Sequence, residues 1–373
     1  MNTLHKLFFG VLCVLSTLYA TAQTNVTHSI MQGTVQRSFI VHLPTGYNPA
    51  DPVSCVFNLH GASMTAAYQQ LYSKMDVVAN ANHFMVVYPQ GIGNAWMVGS
   101  SGIYQDNDLD VAFIAAVLDT LETLYNINTG RVFACGLSQG GFMSHRLACD
   151  LQDRFAAIAS VAGAIADSAM TYCDNARNVP VLLINGVDDP YVSYSWAEEA
   201  VAFWTDHNGC SLSPALTDLP DNNTGDGSTV QHLVYNGCGN EAAVEMFRIT
   251  GGGHTWPSPF INLSGYGNTN YDISASQEIW KFFNRFSIHG SIAAIHEQEV
   301  SAVLKIYPNP TATEISIKGI AAPFQVQVKD MHGMPVIKAC NTSQIDLSGL
   351  ANGIYHVRIS NVTGTFEEKV VKM

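Results

Sequence analysis

The stretch that most constrains the fold of this chain is Gly136–Gly140, Gly-Leu-Ser-Gln-Gly, which directly follows the apolar run Val132 to Cys135. An apolar strand that runs into Gly-x-Ser-x-Gly and then into a helix-like segment is typical of a sharp turn that exposes one serine hydroxyl. The flanking glycines fit such a turn, because a side chain on either would collide with the neighbouring strand or helix. The pattern makes Ser138 a candidate nucleophile, provided that an acid and a histidine lie elsewhere in the chain.

The first residues predict export. Lys6 precedes an apolar run, Leu7 to Leu18, and Ala20-Thr21-Ala22 has the small-x-small pattern of a cleavage site, so residues 1–22 are predicted to be a secretory signal peptide. The run is too short for a membrane span, and no later stretch is predicted to be a transmembrane segment. The formal net charge of -13 argues against a nucleic-acid partner, which needs clustered cations. We expect a secreted protein, either extracellular or attached to the cell surface.

An exported protein can keep disulfides, and the cysteine spacing suggests two. Each expected bridge closes a segment of moderate length, the second of which is polar and rich in Asn, Asp and Gly. The expected pairs are Cys149–Cys173 and Cys210–Cys238. Cys55 and Cys135 lie in apolar strand-like runs and are expected to be buried free thiols, which leaves Cys340 unassigned.

Strand-like and helix-like segments alternate over most of the chain. Short apolar runs such as Cys55–Leu59 and Val179–Ile184 alternate with helical patterns such as 66–79 and 110–125. Continuous apolar strands are typical of a mainly parallel sheet covered by helices on both faces. The pattern predicts a doubly wound α/β domain.

The composition changes after this domain. Four short strand patterns, separated by turn signals such as Ala351–Gly353, predict a small all-β sandwich at the C-terminus. We therefore assign residues 23–286 to the α/β domain, 287–300 to a linker and 301–373 to the sandwich.

An acid and a histidine follow Ser138 in the order that a nucleophilic serine of this fold requires. A serine hydroxyl needs an adjacent base, and that base needs an orienting carboxylate. Asp188 and Asp189 follow one buried strand, and His254 follows three glycines after the last large strand. In α/β hydrolases the chain order is serine, acid, histidine. The spacing predicts a catalytic triad; a surface turn at the two aspartates and a structural histidine are the alternatives.

An oxyanion site is predicted from two backbone segments. A tetrahedral intermediate needs two N–H donors, one from the residue after the nucleophile and one from an early strand–helix loop. Gln139 and Ala62 occupy those positions, and Gly61 lets the chain turn inward. The sequence contains no H-E-x-x-H or C-x-x-C pair, so we expect neither a metal nor a cofactor.

With these residues in place, the chain resembles the polyhydroxybutyrate depolymerase and feruloyl esterase group of secreted α/β hydrolases, the carbohydrate esterase family one type. The matching motifs are Leu59–Gly61, Tyr88–Gly91 with Trp96, Asp110–Phe113, Gly136–Gly141, Asn185–Pro190 and Gly252–Pro257. The resemblance implies a triad of Ser138, Asp189 and His254, because the residue before Pro190 matches the acid of the family. Asn185 departs from the family, which usually reads His-Gly there.

The C-terminal residues resemble the sorting domain of the type IX secretion system. The matching motifs are Ile306–Pro310, Leu350–Tyr355 and Lys369–Lys372. This resemblance implies the secretion machinery as a partner, passage across an outer membrane, and removal or surface anchoring of the tail. A carbohydrate-binding sandwich is the alternative.

We therefore expect a secreted serine carboxylesterase that acts through an acyl-enzyme. The expected substrate is a polyhydroxyalkanoate or related ester, and the alternative is a feruloyl or acetyl ester on plant cell-wall polysaccharide. A non-catalytic surface binding protein and a peptidase are more distant alternatives. Four residues are expected to contact the substrate, with the two tryptophans as an aromatic wall of the cleft: His60, Gly61, Trp96 and Trp256.

Overall fold

The structure is a computed structural model that describes residues 24–99, 109–173, 176–291, 305–319, 324–330, 334–361 and 364–373. The chain divides into two compact units, Met1–Gly290 and Ser291–Met373. The predicted signal peptide and residues 292–300 of the predicted linker lie outside the described residues.

The first unit is built on a large mixed sheet, as the apolar strand pattern predicts. Its strands are β1 (Thr24–Gln32), β2 (Val35–Leu43), β3 (Val53–Leu59), β4 (Phe84–Pro89), β5 (Ile127–Leu137), β6 (Ala157–Val161), β7 (Val181–Gly186), β8 (Ala215–Asp218), β9 (Thr229–Tyr235) and β10 (Val244–Thr250). Their spatial order is β1-β2-β4-β3-β5-β6-β7-β10-β9-β8. The neighbours from β4 to β10 pair in parallel, and the remaining strands add antiparallel edges. The carboxyl ends of β3, β5, β7 and β10 therefore lie along one edge of the sheet.

Helices cover both faces of this sheet. They are α1 (Ala66–Ser73), α2 (Met75–Asn82), α3 (Leu109–Leu124), α4 (Gln139–Asp150), α5 (Asp167–Tyr172), α6 (Tyr194–His207) and α7 (Ala275–Phe283). Side chains alternate between the faces along each strand. Phe57 joins a buried cluster with Phe113 of α3 and Met143 of α4, whereas its neighbour Val56 joins a second cluster with Phe283 of α7. The predicted doubly wound α/β architecture is confirmed.

In the first unit the sequence did not predict three strands and the short helix α5, and one predicted helix is divided. β1, β8 and β9 were not predicted, and each lies in an antiparallel edge pair of the sheet. The expected single helix over 66–79 is two helices, because Lys74 has a left-handed backbone with φ 54° and separates α1 from α2.

The second unit is a small all-β domain. A short hairpin, β11 (Phe286–Ser287) and β12 (Gly290–Ser291), precedes it. Its strands are β13 (Lys305–Tyr307), β14 (Glu314–Lys318), β15 (Phe324–Lys329), β16 (Pro335–Cys340), β17 (Gln344–Asp346), β18 (Gly353–Asn361) and β19 (Gly364–Lys372). They form two antiparallel sheets, β13-β14-β17 and β16-β15-β18-β19. Ile315 of one sheet and Val326 of the other belong to the same buried cluster, so the two sheets share a core.

Both expected disulfides are present. They are Cys149–Cys173 and Cys210–Cys238. Cys55 and Cys135 are buried free thiols, and Cys340 is an exposed one. Among the residues that the structure describes, no helix is long and apolar enough to cross a membrane.

Candidate active site

Ser138 lies in a strained turn between β5 and α4. Its backbone has φ 54° and ψ -118°, which is rare for a residue with a side chain, and α4 begins at the next residue. The turn is so tight that a Cβ on Gly136 would lie 2.4 Å from the carbonyl carbon of Gly140. A Cβ on Gly140 would lie 2.2 Å from the carbonyl oxygen of Leu59. The turn therefore requires glycine at both positions.

His254 and Asp189 form a close pair. Nδ1 of His254 lies 2.7 Å from Oδ2 of Asp189, and the Asp189 side chain is fully buried. The other carboxylate oxygen, Oδ1, accepts hydrogen bonds from the backbone N–H groups of Tyr191 at 2.8 Å and Val192 at 2.9 Å. The His254 backbone is held in turn, since its N–H donates to the carbonyl of Tyr266 over 2.7 Å. Both partners are therefore fixed in position by main-chain contacts.

The neighbouring Asp188 does not take part in this pair. It is exposed, and its backbone N–H donates to the carbonyl of Gly252 over 2.9 Å. Of the two aspartates that the sequence left open, Asp189 is the one whose side chain contacts His254. The contact arises because β7 and β10 are parallel neighbours, so the residues that follow them meet at the same edge of the sheet.

A cavity of about 290 Å³ opens beside these residues. It is lined by Gly61, Ala62, Ser63, Met64, Thr65, Tyr68, Leu137, Ser138, His254, Leu263 and Tyr266. Ser138 and His254 therefore share one cavity, and Ala62 of the early strand–helix loop forms part of its wall. Gln139 follows Ser138 in the first turn of α4, where backbone N–H groups have no acceptor within the helix. The Gln139 side chain accepts a hydrogen bond from the backbone N–H of Trp96 over 2.9 Å.

His60 does not line the cavity but holds Gly61, which does. The expectation that His60 contacts the substrate is therefore wrong. His60 is fully buried. Its Nε2 accepts from the N–H of Gly91 at 3.0 Å, so Nδ1 carries the proton and donates to the carbonyl of Gly61 over 2.8 Å. Burial lowers the pKa of His60, which favours this neutral form. Of the expected substrate contacts, only Gly61 lies on the cavity.

The two tryptophans are also buried, which corrects the expected aromatic wall. Trp96 packs on His60 with ring centroids 4.8 Å apart, and its Nε1 donates to the His60 carbonyl over 2.9 Å. Trp256 is fully buried; its backbone N–H donates to the hydroxyl of Tyr72 and its Nε1 to the hydroxyl of Ser276, each over 3.2 Å. Both indoles can be buried because each ring N–H has a hydrogen-bond acceptor in the core. They anchor the loops that carry the site.

Sequence reasoning missed the side chains that line the cavity. Most come from the start of α1 and from the loop after His254: Met64, Thr65, Tyr68, Leu263 and Tyr266. A signal was present in residues 257–272, where aromatic residues alternate with Pro, Gly, Asn and Ser directly after the candidate histidine. Within the described residues, no group of three or more His, Cys, Asp and Glu side chains could hold a metal ion.

A comparison with protein families shows to which family the chain belongs. The family described as "Putative esterase" matches residues 33–224, which is more than half of the chain and includes the Ser138 turn and the Asp189 loop. The chain belongs to this esterase family. The esterase also matches the family described as "Secretion system C-terminal sorting domain" over residues 305–373. It is accordingly an exported protein of the extracellular space or the cell surface.

Individual relatives of the esterase are distant in sequence. It is 24% identical over 259 residues to a bifunctional acetylxylan esterase/xylanase of Neocallimastix patriciarum, a match that covers 69% of this chain and 34% of the relative. It is 27% identical over 225 residues to feruloyl esterase C of Emericella nidulans, covering 58% of this chain and 76% of that relative. The chain thus spans about a third of the first relative and about three quarters of the second.

A solved structure supports the fold. The acetyl xylan esterase from Aspergillus awamori superimposes with a TM-score of 0.54 at 14% sequence identity, covering 69% of this chain and 99% of that one. At this identity the likeness concerns the α/β-hydrolase fold.

Proposed function

We propose that this esterase is a serine carboxylic-ester hydrolase that works through an acyl-enzyme, with Ser138, His254 and Asp189 as its triad. The observation that carries the proposal is the 2.7 Å contact between Asp189 Oδ2 and His254 Nδ1, beside a cavity that Ser138 and His254 line together. A strained turn that exposes Ser138 supports its role as the nucleophile.

The contact between Asp189 and His254 supports a distinct role for each residue of the proposed triad. Nδ1 of His254 donates to the buried carboxylate, so Nε2 is free to act as a base. As Ser138 Oγ bonds to the ester carbonyl carbon, Nε2 takes the hydroxyl proton, and Asp189 stabilises the imidazolium that forms. Nε2 then gives this proton to the alkoxide oxygen as the bond between the carbonyl carbon and that oxygen breaks. Water repeats the sequence on the acyl-enzyme and releases the acid.

The oxyanion of each tetrahedral intermediate is assigned to the backbone N–H groups of Gln139 and Ala62. Gln139 opens α4, so its N–H belongs to the positive end of a 12-residue helix. Ala62 lines the cavity and follows Gly61, whose carbonyl accepts a hydrogen bond from His60. One such donor contributes about 3 kcal/mol of transition-state stabilisation in enzymes of this type.

The substrate that fits best is a feruloyl ester on plant cell-wall polysaccharide. The relatives described above are named for feruloyl and acetylxylan esters, which favours the polysaccharide alternative over the expected polyhydroxyalkanoate. Met64, Tyr68 and Leu263 give the cavity an apolar and aromatic lining. A cavity of about 290 Å³ holds a phenolic acid better than an acetyl group alone, because a site much larger than its ligand loses the packing that binds it. An acetyl ester is the second candidate, on the strength of the acetylxylan esterase relative.

The division of the chain supports separate roles for its parts. We assign hydrolysis to residues 23–286 and recognition by the type IX secretion machinery to residues 301–373. The match of a sorting-domain family over residues 305–373 supports the second role.

The deciding experiment compares Ser138→Ala with wild type on methyl ferulate, acetylated xylan and hydroxybutyrate oligomers. Wild type is expected to release ferulate fastest, and Ser138→Ala to retain less than about 10⁻³ of that rate. A fluorophosphonate should label wild type and a Ser195→Ala control, whose serine is exposed on α6, but not Ser138→Ala. Labelling of folded Ser138→Ala, or full activity in it, would overturn the triad. No hydrolysis and no labelling of wild type would favour a binding protein.

A further inference from the structure

Two exposed tyrosines flank the ring of His254. The Tyr191 ring lies 5.3 Å from the imidazole and the Tyr266 ring 6.2 Å from it, measured between centroids. The two phenol rings lie 5.4 Å from each other. The two tyrosines expose 58% and 44% of their surface, whereas the neighbouring His254 exposes only 6%. The rings thus form a small aromatic surface around the edge of His254.

Main-chain contacts fix these two residues but do not require aromatic side chains. The N–H of Tyr191 donates to Asp189 Oδ1 over 2.8 Å, and the carbonyl of Tyr266 accepts from the His254 N–H over 2.7 Å. Any residue other than proline could make the first bond and any residue the second, because they involve backbone atoms only. About half of each tyrosine is exposed, so burial in the fold explains only part of the choice of an aromatic residue. Their position next to His254 points to a ligand.

The reaction proposed above determines which half of an ester meets this surface. His254 returns its proton to the departing oxygen, so the alcohol half of the substrate must lie against His254. The acyl half is bonded to Ser138 at that moment and lies towards the oxyanion loop at Ala62 and the cavity beyond it, which Met64 and Tyr68 line. The exposed rings next to His254 therefore face the alcohol, and one of them, Tyr266, lines the same cavity beside His254.

We propose that Tyr191 and Tyr266 form the subsite for the alcohol half of this ester, the sugar residue of the polysaccharide. The inference rests on the proposed ester hydrolysis and goes beyond it by naming the residues that select the alcohol. A sugar ring presents a face of C–H groups that packs on the negative face of an aromatic ring, while its hydroxyl groups stay in water at the rim. Two tilted rings at an open site suit such a ligand. A methyl or other small alkyl alcohol would cover neither ring.

The test measures kcat/KM on two esters of the same acid, feruloyl arabino-oligosaccharide and methyl ferulate. Tyr191→Ala and Tyr266→Ala should each lower the ratio of the first value to the second by about five- to tenfold. Most of the loss should lie in KM for the oligosaccharide ester, because stacking stabilises the bound substrate and the transition state alike. Tyr191→Phe and Tyr266→Phe keep the rings and should keep the ratio.

Tyr172 provides a matched control. It exposes the same 58% as Tyr191, but it precedes Cys173, which is bonded to Cys149 near the end of α4 opposite Ser138. A 12-residue helix separates the two ends by roughly 17 Å. Tyr172→Ala should leave the ratio at the wild-type value.

Three results would overturn the subsite, and each differs from failure of the proposed function. The first is an unchanged ratio in both Ala variants. The second is an equal loss on both esters, which would show that the rings hold the acyl group or position His254. The third is a wild type that prefers methyl ferulate to the oligosaccharide ester. If wild type hydrolyses no ester at all, the proposed function is refuted, and the subsite with it.

Discussion

Nε2 of His60 lies 3.0 Å from the backbone nitrogen of Gly91 and accepts its hydrogen bond. The same ring donates from Nδ1 to the carbonyl of Gly61. One neutral imidazole therefore joins the loop after β4 to the loop that carries Ala62. The contact is reinforced by the Ser63 N–H, which donates to the carbonyl of Asn94 over 2.8 Å. His60 is a positioning residue for the proposed oxyanion site.

We expect His60→Ala to lower kcat by about ten- to a hundredfold with little change in KM. The variant leaves the Gly91 N–H without its acceptor and frees Gly61, so the Ala62 donor is no longer held where the oxyanion forms. The unpaired buried group should also cost about 1–3 kcal/mol of unfolding free energy. Steady-state kinetics and urea unfolding measure the two effects separately. A variant that raises KM and keeps kcat would show that His60 touches the substrate after all.

Asp189→Asn should lower kcat by about 10⁴-fold while leaving the protein folded. The amide presents N–H where Oδ2 accepted from His254 Nδ1, so the imidazole is driven into the wrong tautomer. Asp188→Asn is the matched control, because this exposed carboxylate makes no contact with His254, and its kcat should stay within twofold of wild type. Equal losses in the two variants would contradict the assignment of the acid.

The strand ends could be predicted from sequence because they depend on short apolar runs of neighbouring residues. Apolar runs specify buried parallel strands, and parallel strands bring the residues that follow them to one edge. Ser138, the aspartate pair at 188 and 189, and His254 could be placed together on that basis, whereas the preference for Asp189 came from the family resemblance. The orientation of Trp256 could not be predicted, since it depends on acceptors at Tyr72, 184 residues away in the chain, and at Ser276, 20 residues away.

The edge strand β8 shows a second limit of sequence reasoning. All four residues of Ala215–Asp218 are exposed, so no alternation between buried and exposed side chains marks the strand. It exists because β9 offers a partner for its backbone. The cavity lining is hidden for a similar reason, because Tyr68 and Leu263 are far apart in the chain and line one cavity only in the folded protein.

The Cys210–Cys238 disulfide closes the segment that contains the β8–β9 hairpin. It joins the end of α6 to the end of β9 across 28 residues of chain. Constraining a loop of this length in the unfolded chain contributes about 3–4 kcal/mol. The double variant Cys210→Ser/Cys238→Ser should therefore lower Tm by roughly 5–10 °C, measured by scanning calorimetry. The single variant Cys340→Ser, which removes an exposed free thiol, is the control and should leave Tm unchanged. An unchanged Tm in the double variant would refute the bridge.

His145 of α4 is a fully buried histidine outside the active site. Its Nδ1 accepts from the Trp204 Nε1–H over 2.9 Å, and Nε2 has no hydrogen-bond partner among the described residues. Burial lowers the pKa of His145 to about 3. In the unfolded chain the same side chain keeps the ordinary histidine pKa of about 6.5. Between these two values the unfolded chain binds a proton that the folded protein excludes.

Falling pH should therefore destabilise the esterase through His145. Below about pH 6.5 this residue lowers the free energy of unfolding by about 1.4 kcal/mol per pH unit, and the loss ends near pH 3, where the folded form also takes up the proton. His145→Gln cannot titrate, and its amide oxygen can still accept from Trp204. Between pH 6.5 and pH 5 wild type should lose about 2 kcal/mol more than the variant, measured by urea unfolding at each pH. Parallel losses in the two proteins would show that His145 is protonated in the folded state.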